Sequence, residues 1–111
     1  MTHGTDYKIV ISWTTTSYRT DICHEMVRSI VSGVFSPDNF ILWVSPNADS
    51  QYDEGIDEVP DNLQEYVDNG DLEVRFIDED YGSFTKLRPA LKEFWDEDVY
   101  IVTVDDDFVY D

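Results

Sequence analysis

Basic residues, cysteine and long apolar runs are what this sequence has least of. Seven lysines and arginines stand against 25 aspartates and glutamates, a formal net charge of −18 over 111 residues. That balance excludes a broad basic face for nucleic acid or for an anionic membrane. A phosphate-bearing ligand would need a bridging cation or a local basic group. The one cysteine, Cys23, excludes an intramolecular disulfide and a Cys-rich zinc site. Its neighbours Ile22 and Met26 favour a buried helical thiol over a nucleophile. No apolar run is long enough for a membrane-spanning helix. The polar segment from Met1 to Asp6 carries no signal-peptide pattern, so the default expectation is a cytoplasmic protein.

What is present is enough for one core. Hydrophobic residues make up 41% and aromatics 14%, which sets the chain apart from a disordered acidic tail. The length suits a single domain over residues 1–111. The acidity also fits a salt-adapted or generally acidic proteome.

Four apolar strand candidates alternate with helical stretches. Tyr7 to Thr14 holds Ile9, Val10 and Ile11 in one run, as a strand covered on both faces does. Thr20 offers an N-cap with Asp21 in the first turn. Ile22, Met26, Ile30 and Val31 then recur at helical spacing, and Gly33 offers a stop. Phe40 to Ser45 is the second strand, and Asn47 to Glu58 reads as an exposed acidic loop. Pro60 suits the first turn of a short helix with Leu63, Tyr66 and Val67 inward, stopped by Asn69-Gly70. Leu72 to Ile77 is the third strand. After a loop from Asp78 to Gly82, Ser83 or Thr85 caps a third helix carrying Leu87, Leu91 and Phe94. Pro89 is tolerable there only near the first turn. Val99 to Val104 is the fourth strand.

This β-α-β-α-β-α-β order predicts an α/β protein with right-handed crossovers and a mostly parallel four-stranded sheet. Ligands of such sheets bind beyond the carboxyl ends of the strands, where the strand order reverses. Three polar loops fall at that edge. Thr14, Thr15, Thr16, Ser17 and Tyr18 offer hydroxyls and an aromatic ring that suits stacking on a base, and the loop ends on Arg19; a capped β-to-α turn explains the same residues. Asp80, Tyr81, Gly82 and Ser83 precede Lys86 and Arg88, two of the seven cations. Gly82 permits a tight turn, and Ser83 with Lys86 and Arg88 suits a phosphate; surface ion pairs explain the two cations as well. The glycine spacing is neither a dinucleotide fingerprint nor a P-loop.

The third loop is the run Asp105, Asp106, Asp107 directly after the fourth strand. Adjacent carboxylates repel, and a cation or a donor-rich ligand relieves them; a solvated acidic turn is the alternative. Asp105 and Asp107 project to one side of an extended backbone, with Asp106 to the other. Asp106 is then placed to accept from a sugar hydroxyl or a structural donor. Two carboxylates with phosphates and waters suit Mg2+ or Mn2+. His3, His24, Trp13, Trp43 and Trp95 offer no catalytic arrangement.

Taken together, three segments resemble the GT-A-type glycosyltransferases. Lys8 to Thr16 looks like their opening strand, Asp80 to Leu91 is similar to a "G-S/P-x-x-K-L-x-P-A-L" stretch, and Val102 to Asp107 followed by Tyr110 looks like their DXD motif. The resemblance spans nearly the whole chain. It implies binding of a nucleotide-sugar donor, most often a UDP-sugar, with Mn2+ or Mg2+ and transfer to a glycan, lipid or protein acceptor. It implies Asp107 as the metal ligand and Asp105 toward the ribose or sugar, beside the reading from their spacing that both Asp105 and Asp107 face a metal. It implies Thr14 near the nucleotide and Lys86 near the diphosphate or sugar. Many relatives carry an acid after the second strand that reads the base; here Ser45-Pro46-Asn47 stands there. Relatives also continue past this motif into an acceptor-binding half that holds the general base of inverting members. The expectation is therefore a donor-binding domain incomplete relative to a full catalytic domain: a three-layer α/β/α Rossmann-like half-domain with the four strands in the order 3-2-1-4. Two rivals stand beside it: a non-catalytic binding or assembly module that pairs with another chain, or a second copy, through the exposed sheet edge beside the fourth strand, and a metal-dependent phosphotransfer or phosphatase-like domain using Asp105 with Lys86.

Overall fold

A computed structural model describes residues 7–33, 36–47, 53–79 and 81–110, with the side chain of Ser83 outside that description. The chain forms β1 (Lys8–Thr14), α1 (His24–Val31), β2 (Asn39–Val44), α2 (Gln64–Asp68), β3 (Glu73–Phe76), α3 (Arg88–Glu93) and β4 (Val99–Thr103). A 3-10 turn over Asp61–Leu63 leads into α2, and another over Gly82–Lys86 precedes α3. All four strands are parallel, in the predicted order β3-β2-β1-β4.

The continuous apolar runs of β1 and β2 are explained by burial on both faces. Ile11, Trp13, Phe40, Leu42 and Val44 pack against Cys23, Met26, Val27 and Leu63. Val10, Ile41 and Trp43 pack against Ala90 and Phe94 of the α3 segment. Each fully buried Leu, Ile or Val contributes about 1.5–3 kcal/mol relative to exposure, so the two central strands anchor the molecule.

Several local expectations shift. The first helix begins at His24, not beside Thr20. Residues 16–22 run as consecutive turns, closed by Arg19 N–H on the Thr16 carbonyl and Ile22 N–H on the Arg19 carbonyl. The Thr20 carbonyl instead accepts from Asn62 Nδ2 at 2.9 Å and from the Cys23 thiol at 3.0 Å. Ile22 is left exposed as a result. The third helix is not capped by Thr85; the Thr85 hydroxyl accepts from Tyr81 N–H at 3.0 Å and closes the 3-10 turn. The helix proper starts at Arg88 with Pro89 in its first turn, and Leu91 points to solvent. Gly70 does stop α2, with φ +81. The loop read as wholly exposed is pinned at its far end: Ile56 joins the core, and its N–H donates to the Ser45 carbonyl at 3.0 Å.

β4 is an edge, bonded to β1 alone among the described residues. Tyr100 and Val102 of β4 are exposed, and the Tyr7 ring stacks edgewise on Tyr100 with centroids 5.1 Å apart. No helix of the described residues is long and apolar enough to cross a membrane.

Candidate functional site

The crossover order sets the ends of β1 and β4 side by side, so the threonine loop and the aspartate run share one corner. The aspartates divide as a two-residue period predicts. Asp106 turns inward and is 8% exposed. The side chains of Asp105 and Asp107 remain 63% and 57% exposed.

Asp106 is held by three donors. Arg19 grips it with Nε on Oδ2 at 2.9 Å and Nη2 on Oδ1 at 2.8 Å, and the buried Thr15 hydroxyl adds a bond to Oδ2 at 2.8 Å. Burial pushes the Asp106 carboxyl up, but the Arg19 and Thr15 hydrogen bonds and the Arg19 charge outweigh it and hold it below the usual carboxylate range. The bonds to Asp106 in turn hold the Arg19 guanidinium above its ordinary value. A two-point Arg–carboxylate contact is among the stronger and more directional polar pairs. Asp106 and Thr15, both candidates for ligand contact in the sequence, thus have their groups engaged within the protein.

The flanking carboxylates are available but accompanied. Lys86 Nζ lies 3.0 Å from Asp105 Oδ1, and Arg19 Nη2 lies 3.3 Å from Asp107 Oδ2. The Asp105 N–H donates to the Tyr110 hydroxyl at 3.0 Å, and the Tyr110 N–H donates to Ser29 Oγ on α1 at 3.0 Å. Lys86 is placed by Ser12, which is fully buried in β1. Its hydroxyl donates to the Lys86 carbonyl and accepts from the Trp43 indole N–H at 2.8 Å. A buried hydroxyl between two partners links the 3-10 turn to both central strands.

The other candidates are distributed unevenly. The Thr14 hydroxyl donates to the Trp43 carbonyl at 2.7 Å and so fastens β1 to β2. Tyr18 is exposed at the lip. The buried Thr16 hydroxyl beside them has no partner among the described residues. Gly82 takes the left-handed conformation expected of a tight turn, with φ +62. Asp80 and the side chain of Ser83 lie outside the described residues. Asp53, hidden in the presumed open loop, accepts from the N–H groups of Ser17 and Gly55, each at 2.9 Å, and so braces the threonine loop. Arg19 was not among the candidate ligand residues, although a cation closing a hydroxyl-rich loop in so acidic a chain was the signal available. Cys23 fits the buried-thiol expectation: burial first, and then the Asp106 charge, push its thiol up to about 12.

Asp105 and Asp107 offer hard oxygen donors, which suit Mg2+ or Mn2+. Among the described residues no three His, Cys, Asp or Glu side chains converge as a metal cage. Any divalent ion here would complete its shell with phosphate or water, as Mg2+ commonly does.

Comparison with protein-family models, with curated proteins and with solved structures finds no match for this chain.

Proposed function

We propose that the corner between β1 and β4 binds the diphosphate of a nucleotide sugar through Mn2+ or Mg2+ on Asp105 and Asp107, as the donor-binding domain of a glycosyltransferase. The observation that carries this reading is the division of the aspartate run: one carboxylate locked inside, two exposed at the mouth of a parallel strand. Lys86, now paired with Asp105, stands at the same mouth and would turn to phosphate oxygens once a metal takes that carboxylate, on a surface that otherwise repels anions. The unengaged Thr16 hydroxyl and the exposed Tyr18 ring suit the nucleoside end. A bound divalent ion would offset the charge that develops on a departing nucleoside diphosphate.

The test is thermal unfolding with Mn2+ and UDP together. A ligand at about 100 times its Kd stabilises the native state by about 2.7 kcal/mol, a rise of several degrees. D105A/D107A removes the rise. No rise with UDP or any other common nucleoside diphosphate, at roughly ten-millimolar concentration, rejects the reading.

The open edge of β4 favours a second reading, assembly of two copies through that strand. The net charge of −18 opposes self-association, so this reading expects a dimer that strengthens as salt screens the repulsion. Sedimentation at low and at molar salt checks it; a monomer under both conditions removes it.

A further inference from the structure

Five of the seven lysines and arginines of this chain are matched to acids. Lys8 pairs with Glu97, Arg19 with Asp106, Arg28 with Glu25, Arg75 with Glu73 and Glu93, and Lys86 with Asp105. Arg88 and Lys92 have no carboxylate partner among the described residues. They lie four positions apart on α3, hence on one side of it, and both line the same cavity of about 510 Å3. That volume is typical of small-molecule sites.

The cavity lies between α3 and the segment that follows β3. Trp43 and Ile77 supply apolar lining from the sheet side, and the Tyr81 ring lies 5.0 Å from the Arg88 guanidinium carbon. Asp78 and Glu79 line it from the loop. The third acid of the lining, Glu93, is engaged by Arg75. Helix and loop therefore bring charges of opposite sign to one hollow.

This charge pattern discriminates among ligands. A bare anion satisfies the two cations but faces two carboxylates with nothing to donate. A neutral sugar serves the carboxylates and leaves the cations unpaired. An apolar ligand strips water from four charges and returns nothing. We propose that the cavity binds a sugar phosphate: Arg88 and Lys92 hold the phosphate, Asp78 and Glu79 accept from ring hydroxyls, and the Tyr81 ring offers a flat apolar surface to the sugar's C–H face. The assignment is independent of any metal at the terminal aspartates.

Calorimetric titration with glucose 6-phosphate, in EDTA and at low salt, tests it. Glucose 6-phosphate is expected to bind, with glucose and inorganic phosphate each weaker by about tenfold or more. R88M/K92M is expected to lose about tenfold in affinity; both residues are exposed, so the variant retains the wild-type unfolding transition. D105A/D107A is expected to bind as the wild type does. Three results overturn the proposal: no binding up to roughly 10 mM, inorganic phosphate binding as well as the sugar phosphate, or unchanged affinity in R88M/K92M. Loss of binding in D105A/D107A would also overturn it, by moving the ligand to the aspartate corner.

Discussion

Replacing Arg19 by methionine is expected to lower the unfolding free energy by about 2–3 kcal/mol at neutral pH. The reason is asymmetric. Asp106 stays buried, loses two of its three donors, and keeps its charge in a place that solvates it poorly. Breaking a buried ion pair typically costs about 3–5 kcal/mol; the lower figure reflects the Arg19 side chain, which is 43% exposed and lets water reach part of the pair. In a domain of this size the loss corresponds to a fall in Tm on the order of 10 °C. Asp106→Asn keeps the shape and one acceptor oxygen, buries no charge, and is expected to cost less. Urea denaturation of the three proteins checks the order. A milder effect for Arg19→Met than for Asp106→Asn would refute the picture of Arg19 as the counter-charge.

The pH dependence provides a second signature. In the wild type the Asp106 carboxyl is held below its unfolded value of about 3.9. Its stabilisation is therefore complete above that value and is lost as pH falls through the lower, folded one. In Arg19→Met the opposing influence of burial remains, so the folded carboxyl rises and the penalty is largest when it is ionised. The stability gap between variant and wild type should narrow as pH drops from 7 toward 4. A gap that stays constant over that range would point to a group other than Asp106.

Glycine substitutions give the other large effect. Gly55 has φ +91, and a Cβ there would lie 2.5 Å from the carbonyl oxygen of Pro46. Gly70 has φ +81, but a Cβ meets nothing within 4 Å. Gly70→Ala therefore isolates the left-handed backbone cost, about 1 kcal/mol. Gly55→Ala adds a backbone collision that no rotamer change relieves, and about 2–4 kcal/mol in total is expected. Because Asp53 bonds both Gly55 and Ser17, the damage should spread to the threonine loop. Faster amide exchange at Ser17 in Gly55→Ala, but not in Gly70→Ala, is the specific readout. Equal destabilisation by the two substitutions would show that the contact with Pro46 is not limiting.

Strand periodicity made much of the architecture legible. The unbroken runs Val10-Ile11 and Phe40-Ile41-Leu42-Trp43 required cover on both sides, and the alternation with helical segments required parallel crossovers. Element ends were less legible because capping signals are cheap: Thr20 and Thr85 both qualify as caps, yet the Thr20 carbonyl accepts a tertiary bond from Asn62 Nδ2 and the Thr85 hydroxyl accepts a local one from Tyr81 N–H. Asp53 and Ile56 were hidden by their acidic surroundings. A buried residue inside a polar stretch carries no period to reveal it.

From the residue order alone came the parallel sheet, the anionic character, the lack of an intramolecular disulfide and the edge where the polar loops gather. Those follow from local alternation and composition, which act between neighbours. Only the folded chain decided which aspartate is enclosed and which cation encloses it. Arg19 and Asp106 are 87 positions apart, and a period of two says that Asp106 opposes its neighbours without saying which side faces inward. The same holds for Arg88 and Lys92, whose lack of a carboxylate partner is visible only once every other cation has found its acid in space.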